Sequence, residues 1–108
     1  MDIRLLKYFL AVAIEENITH AAEKLYISQP SLSKQLMELE KELGKKLLIR
    51  GKRKITLTEE GIILRKRAEE IVSLLEKTEK EIGSDLSNIE GEISIGGNPA
   101  KTILKTAS

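Results

Sequence analysis

Several absences narrow the possibilities for this 108-residue chain before any pattern is read. It has no cysteine, which removes disulfides and thiolate metal sites and is compatible with a reducing compartment. Its only aromatics are Tyr8, Phe9 and Tyr26, so a core must be aliphatic and no stacking platform for single-stranded nucleic acid is available. No uncharged run approaches the roughly 20 residues of a membrane helix, and the opening Met-Asp-Ile-Arg-Leu-Leu-Lys breaks its apolar pattern with charge, unlike a signal peptide. Enzyme chemistry is also missing: there is no nucleophile paired with a base, no glycine-rich phosphate loop and no ligand cluster. The single histidine, His20, has no second histidine, cysteine or carboxylate at ligand spacing and reads as an exposed or phosphate-adjacent side chain.

What remains is 41% hydrophobic and 32% charged, the composition of a small soluble domain with a modest core. The formal net charge of +1 says nothing about partners; its distribution does. From Lys45 to Lys54 there are six basic residues and no acid, whereas acids gather at Glu38–Glu42 and again after Glu69. The positive field is therefore concentrated at one place.

That place follows a stretch, Thr19 to Leu43, that reads as two short helices and a tight turn. Thr19 is expected to open the first helix, with Ala21-Ala22 allowing close helix approach, and Leu25-Tyr26-Ile27 breaks it. Ser28 can cap the second helix, whose first turn tolerates Pro30 because early amides lack intrahelical partners. Together these make a helix-turn-helix signature. In the second helix Leu32, Leu36, Leu39 and Leu43 face a core, while Pro30, Ser33, Lys34, Met37 and Lys41 lie opposite, with Gln29 flanking. The outward front half carries donors and no acid, and the first acids, Glu38, Glu40 and Glu42, come only past the middle. Gln pairs with adenine, Lys with guanine, and Ser with a base or a phosphate, which is the chemistry of a major-groove helix.

The flanking segments support this centre. Asp2 can cap a first helix running to about Glu16, buried through Leu5, Leu6, Phe9, Leu10, Ala13 and Ile14, with Asn17 as a left-handed stop. Gly44 ends the recognition helix, and Lys45 and Lys46 suit the negative end of its dipole. Leu47–Arg50 and Lys54–Leu57 are β-rich around Gly51-Lys52-Arg53, a short hairpin or wing whose basic tip can lie along phosphates or enter a minor groove. Thr58 can cap a long helix whose apolar residues, Leu64, Ala68, Ile71, Leu75, Thr78 and Ile82, step by four and three as a heptad seam does. So small a core cannot cover all of it, and a second copy of the helix is the natural cover.

A set of residues in register carries a resemblance: Ala21-Ala22, Leu25, Ser28-Gln29-Pro30, Ser33, Leu39-Glu40, Leu43-Gly44, Leu47, Arg50, Arg53 and Leu57-Thr58-Glu59-Glu60-Gly61. Over about residues 1 to 90 the chain resembles the N-terminal domain of LysR-type transcriptional regulators. It departs at Leu48, Lys34 and Glu60, where that family usually shows Phe, Arg and Ala; lysine presents a point charge where arginine presents a fork.

The resemblance implies a mainly α fold, a winged helix-turn-helix of three helices and a β-hairpin over residues 1–58. A linker helix for dimerisation follows at 59–86, and at 87–108 a hinge and the start of an effector-binding domain. Ile93 and Ile95 alternate as a strand would, no such domain follows, and residues from about Gly97 are expected to lack an ordering partner; a truncated chain and a naturally short one both fit. The implied function is sequence-specific binding of duplex DNA at an interrupted inverted repeat, by a bacterial, cytoplasmic and nucleoid-associated regulator. It would be a homodimer through antiparallel linker helices, with a tetramer open for the full-length protein. No cofactor is expected in these residues, and a small-molecule effector only for the effector domain.

Gln29, Pro30, Ser33 and Lys34 are the candidate base readers. Candidate phosphate or minor-groove contacts are Arg4, Thr19, Ser28, Ser31 and, on the wing, Arg50, Lys52, Arg53 and Lys54. A rival reading from another class, a winged-helix interaction module without DNA, is disfavoured by the unbroken basic run, because an interaction face loses charge at its centre.

Overall fold

The computed structural model describes the backbone of residues 1–92 and the side chains of residues 1–83. Asp2 starts the first helix: its carboxylate accepts from the Arg4 amide at 2.7 Å, and α1 runs Ile3–Glu15. It buries Leu5, Leu6, Phe9, Val12 and Ala13. The expected stripe is shifted at its end, for Ile14 is exposed and Val12 is fully buried. The stop is Glu16 in the left-handed region (φ 56°), not Asn17, which is extended and instead caps α2, Ile18–Leu25, by accepting from the His20 amide at 2.9 Å. Thr19 therefore lies inside the first turn of α2 rather than capping it. An asparagine side chain reaches a cap geometry as readily as it tolerates the left-handed one, and the sequence alone does not choose.

Tyr26 ends α2 with φ 59°, its amide bonded back to Glu23 and that of Ile27 to Ala22. This is a Schellman closure that usually falls to glycine. After this turn Ser28 caps α3, Gln29–Leu43, accepting from the Ser31 amide at 3.2 Å. Gly44 (φ 70°) closes α3 by the same pair of bonds. Ala21, Ala22, Leu32, Leu36 and Leu39 are buried where the three helices meet, whereas Leu43, expected in the core, is more exposed at the end of its helix.

Two antiparallel strands follow, β1 Leu48–Arg50 and β2 Ile55–Leu57, with Leu48 opposite Leu57, Ile49 opposite Thr56 and Arg50 opposite Ile55. The hairpin is tied to the end of α1 and closed across its own base. The Ile55 amide donates to the Glu16 carbonyl at 2.9 Å, and the Thr58 amide donates to the Leu47 carbonyl at 3.1 Å. Thr58 Oγ1 donates to the Lys46 carbonyl (2.7 Å) and accepts from the Gly61 amide (3.0 Å), opening α4, Glu59–Glu92.

The chain divides into two units, Met1–Ser73 and the part from Leu74 onward. In the first, α4 contributes Leu64 and Ala68 to the common core. In the second, α4 continues past Gly83, where an end at about residue 86 was expected. A glycine weakens a helix by about 1 kcal/mol but stops it only in a left-handed conformation, which Gly83 does not adopt. Ile93, Ile95 and the stretch from Gly97 to Ser108 lie outside the described residues.

Candidate nucleic-acid interface

The front of α3 is positioned by what lies behind it. Leu32, Leu36 and Leu39 are almost wholly buried, which fixes the helix rotation and turns Pro30, Lys34, Met37 and Lys41 outward. Gln29 and Ser33, both half-buried, are joined: the Gln29 amide donates to Ser33 Oγ at 3.2 Å. That bond leaves the Ser33 hydroxyl hydrogen free to donate outward and the Gln29 carbonyl free to accept. Ser28 holds the Ser31 amide, and the exposed Ser31 and Thr19 hydroxyls stand on the first turns of α3 and α2. Helix N-termini carry positive partial charge, so these turns suit a phosphate.

The basic tip of the hairpin is closed by the Gly51 amide, which donates to the Lys54 carbonyl at 3.0 Å. A Cβ at Gly51 would lie 2.8 Å from that carbonyl oxygen, so the turn requires glycine there. Arg50, Lys52, Arg53 and Lys54 are all exposed around it. Lys54 has a carboxylate near, Glu16 at 3.9 Å, and so does Arg4 on α1, whose guanidinium is 3.7 Å from Asp2. Among the described residues no carboxylate pairs with Lys34, Arg50, Lys52 or Arg53. Four uncompensated cations are thus held on two elements.

The link between those elements is Glu40, which sequence reasoning placed among the rear acids and the family-like residues without assigning it a contact. Glu40 Oε2 accepts from the amides of Leu47 (2.8 Å) and Leu48 (3.2 Å), with Lys46 4.0 Å from its other oxygen. The carboxylate therefore fastens the back of α3 to the start of β1, and its charge is turned inward. A readable signal existed in outline: Glu40 follows the buried Leu39 and so borders the core-facing stripe. Met37, Glu40, Lys41, Gly44, Lys45 and Lys46 line a shallow concavity of about 360 Å³.

Residues 3–62 match the family described as bacterial regulatory helix-turn-helix protein, lysR family. The chain belongs to the LysR family. It is 45% identical over 97 residues to the HTH-type transcriptional regulator BsdA of Bacillus subtilis, covering 89% of this chain and 33% of BsdA. To the nitrogen assimilation regulatory protein nac of Klebsiella aerogenes it is 40% identical over 99 residues, 92% of this chain and 32% of that protein. The chain thus spans about a third of the length of these LysR-type relatives. Among solved structures, the DNA-binding domain of BenM in complex with benA site 1 DNA superposes with a TM-score of 0.77 at 40% identity, over 81% of this chain and 98% of that one. The CbnR DNA-binding domain in complex with DNA gives 0.74 at 37% identity, over 80% and 99%. The winged helix-turn-helix with a long following helix is therefore the LysR architecture.

The apolar stripe of the long helix is distributed differently from the expected seam. Leu64 and Ala68, assigned to it from spacing, are buried in the protein's own core and are not available to a partner. In the first unit Ile63 and Ile71 are exposed, Ile71 by 42%; in the second, Leu74 is 64% and Ile82 59% exposed, with Thr78 also exposed and Leu75 half-buried. At 100° per residue Leu74, Thr78 and Ile82 lie within about 80° of one another in the second unit, while in the first Ile71 lies only about 20° from the buried Leu64. Apolar periodicity alone therefore does not tell which of these side chains the core covers.

Proposed function

We infer that this domain binds duplex DNA sequence-specifically as a dimer, in a bacterial LysR-type transcription regulator acting in the cytoplasm, where bacterial DNA lies. One observation carries the reading: the outward front of α3 presents Gln29, Pro30, Ser33 and Lys34 with no acid among them, and behind it Glu40 is turned back onto the β1 amides. Gln29, Ser33 and Lys34 read base edges in the major groove, with Pro30 giving apolar contact. Arg50, Lys52 and Arg53 hold phosphates or enter the adjacent minor groove, assisted by Lys54, Arg4, Ser28, Ser31 and Thr19. Two copies joined through the exposed side of α4 would read an interrupted inverted repeat. The reading gives these residues no cofactor; in a full-length regulator a small-molecule effector would act on residues beyond them.

Fluorescence anisotropy separates the roles. Duplexes are first recovered by selection from a random pool, and each is compared with a scrambled sequence at several salt concentrations. Lys34→Ala should cost about 1 to 3 kcal/mol on the selected duplex and scarcely change the scrambled one. Arg53→Ala should weaken both and flatten the salt dependence. A Lys34→Ala protein that loses equally on both duplexes would overturn the assignment of base reading to α3, and a protein that enriches no duplex would overturn the function.

A further inference from the structure

Met37 stands out on a face whose other outward side chains, Pro30 apart, are donors. Its side chain is 62% exposed on the outward side of α3, one helical turn beyond Ser33 and Lys34 and one turn before the exposed Lys41. An unbranched, polarizable side chain there gains nothing from water and cannot donate to a phosphate. In the major groove one base group matches it, the C5-methyl of thymine. The shallow concavity it lines with Glu40, Lys41, Gly44, Lys45 and Lys46 holds Lys46 beside Glu40 and leaves Lys41 and Lys45 without a carboxylate partner among the described residues, two cations suited to a strand that carries such a methyl and its own phosphates.

We propose that Met37 is a specificity-determining residue that reads the methyl group of a thymine in each half-site. The proposal rests on the reading of α3 as the base-reading helix. Three residues of helix rise about 4.5 Å and base pairs stack about 3.4 Å apart, which places this thymine one or two base pairs from the pair read by Lys34. The contact is apolar, so it adds discrimination without adding to the salt dependence.

The test uses the whole chain and the selected duplex. The pair read by Lys34 is located by scanning base substitutions with Lys34→Ala, and each thymine is then replaced in turn by deoxyuracil, which lacks only the methyl. Wild type should lose about fourfold in affinity at one thymine per half-site, the equivalent of one buried methyl group, within two base pairs of the Lys34-dependent pair. Met37→Ala, which removes the contact in both half-sites, should bind the thymine duplex about sixteenfold more weakly and show no further loss with deoxyuracil there; Met37→Gln should do the same. Because the side chain is exposed, both variants should melt as wild type does. A wild type indifferent to every thymine within two base pairs, or a Met37→Ala protein as sensitive to deoxyuracil as wild type, overturns the proposal while base reading by α3 stands. Failure to enrich any duplex removes both.

Discussion

Gly61 shows how much a single residue can decide in this domain. A Cβ there would sit 2.2 Å from the Leu47 carbonyl oxygen and 3.2 Å from Leu57 Cβ, so α4 can approach the hairpin only where it has no side chain. Replacing a mid-helix glycine by alanine ordinarily stabilises a helix by up to about 1 kcal/mol. Here Gly61→Ala should destabilise by about 3 kcal/mol, as overpacking against backbone does, and urea unfolding followed by circular dichroism measures the sign. A gain in stability would mean that the start of α4 is free to move away from Leu47. Glu40 is the second such residue. Glu40→Ala removes the acceptor of two amides in a part-buried position, for an expected cost of about 2 kcal/mol in the same measurement, whereas Glu38→Ala, on the exposed side of α3, should stay within about 0.5 kcal/mol. Of these roles the sequence showed little. Glu38, Glu40 and Glu42 have the same chemistry in a string of letters, and only the approach of residues 47 and 48 distinguishes Glu40. The same holds for Asn17, whose cap and whose left-handed stop are equally open to its short side chain. By contrast Asp2, Ser28, Gly44 and Thr58 were legible, because each lies at a boundary where the apolar period starts or ends and has a single geometry to satisfy.

At the scale of elements, the helix-turn-helix and the wing were readable from period alone. A change from apolar residues every three or four positions to the alternation of Leu48 to Leu57 marks where α3 gives way to a hairpin, and Gly51 supplies the turn. The long helix was readable as an element but not in its rotation. Its stripe is broad enough to serve two surfaces, and Leu64 and Ala68 meet the domain's own core while Ile71 and Leu74 do not. This fixes which substitutions test association. Ile71→Lys with Leu74→Lys should leave folding intact, since both side chains are exposed, and should give a monomer in sedimentation velocity at concentrations where wild type is a dimer. Leu64→Lys should instead unfold the domain, because it would bury an unpaired charge. If the Ile71/Leu74 double variant sediments as wild type does, the exposed side of α4 is not the joining surface.

At the scale of the whole molecule, the net charge of +1 conceals a division of sign that only the folded arrangement makes useful. Glu40 and Glu16 are drawn towards the hairpin's flanks, Glu69 and Glu70 pair with Arg65 and Arg67 along α4, and the cations of the wing tip are left without carboxylate partners among the described residues. A dimer presents that tip twice. Each wing cation that meets a phosphate releases a condensed counterion and contributes about 0.9 to the slope of log affinity against log salt. In a dimer on a duplex with two half-sites, Arg53→Ala removes two such contacts at once, so the slope should fall by about 1.8. In the Ile71→Lys, Leu74→Lys background, where one protomer engages one half-site, the same substitution should lower it by only about 0.9. Anisotropy titrations of the four proteins between 50 mM and 200 mM salt, the range over which such contacts dominate duplex binding, supply the slopes. Equal reductions near 0.9 in both backgrounds would mean that only one wing of the dimer touches DNA, and no reduction in either would move the phosphate contacts from Arg53 to the lysines around it.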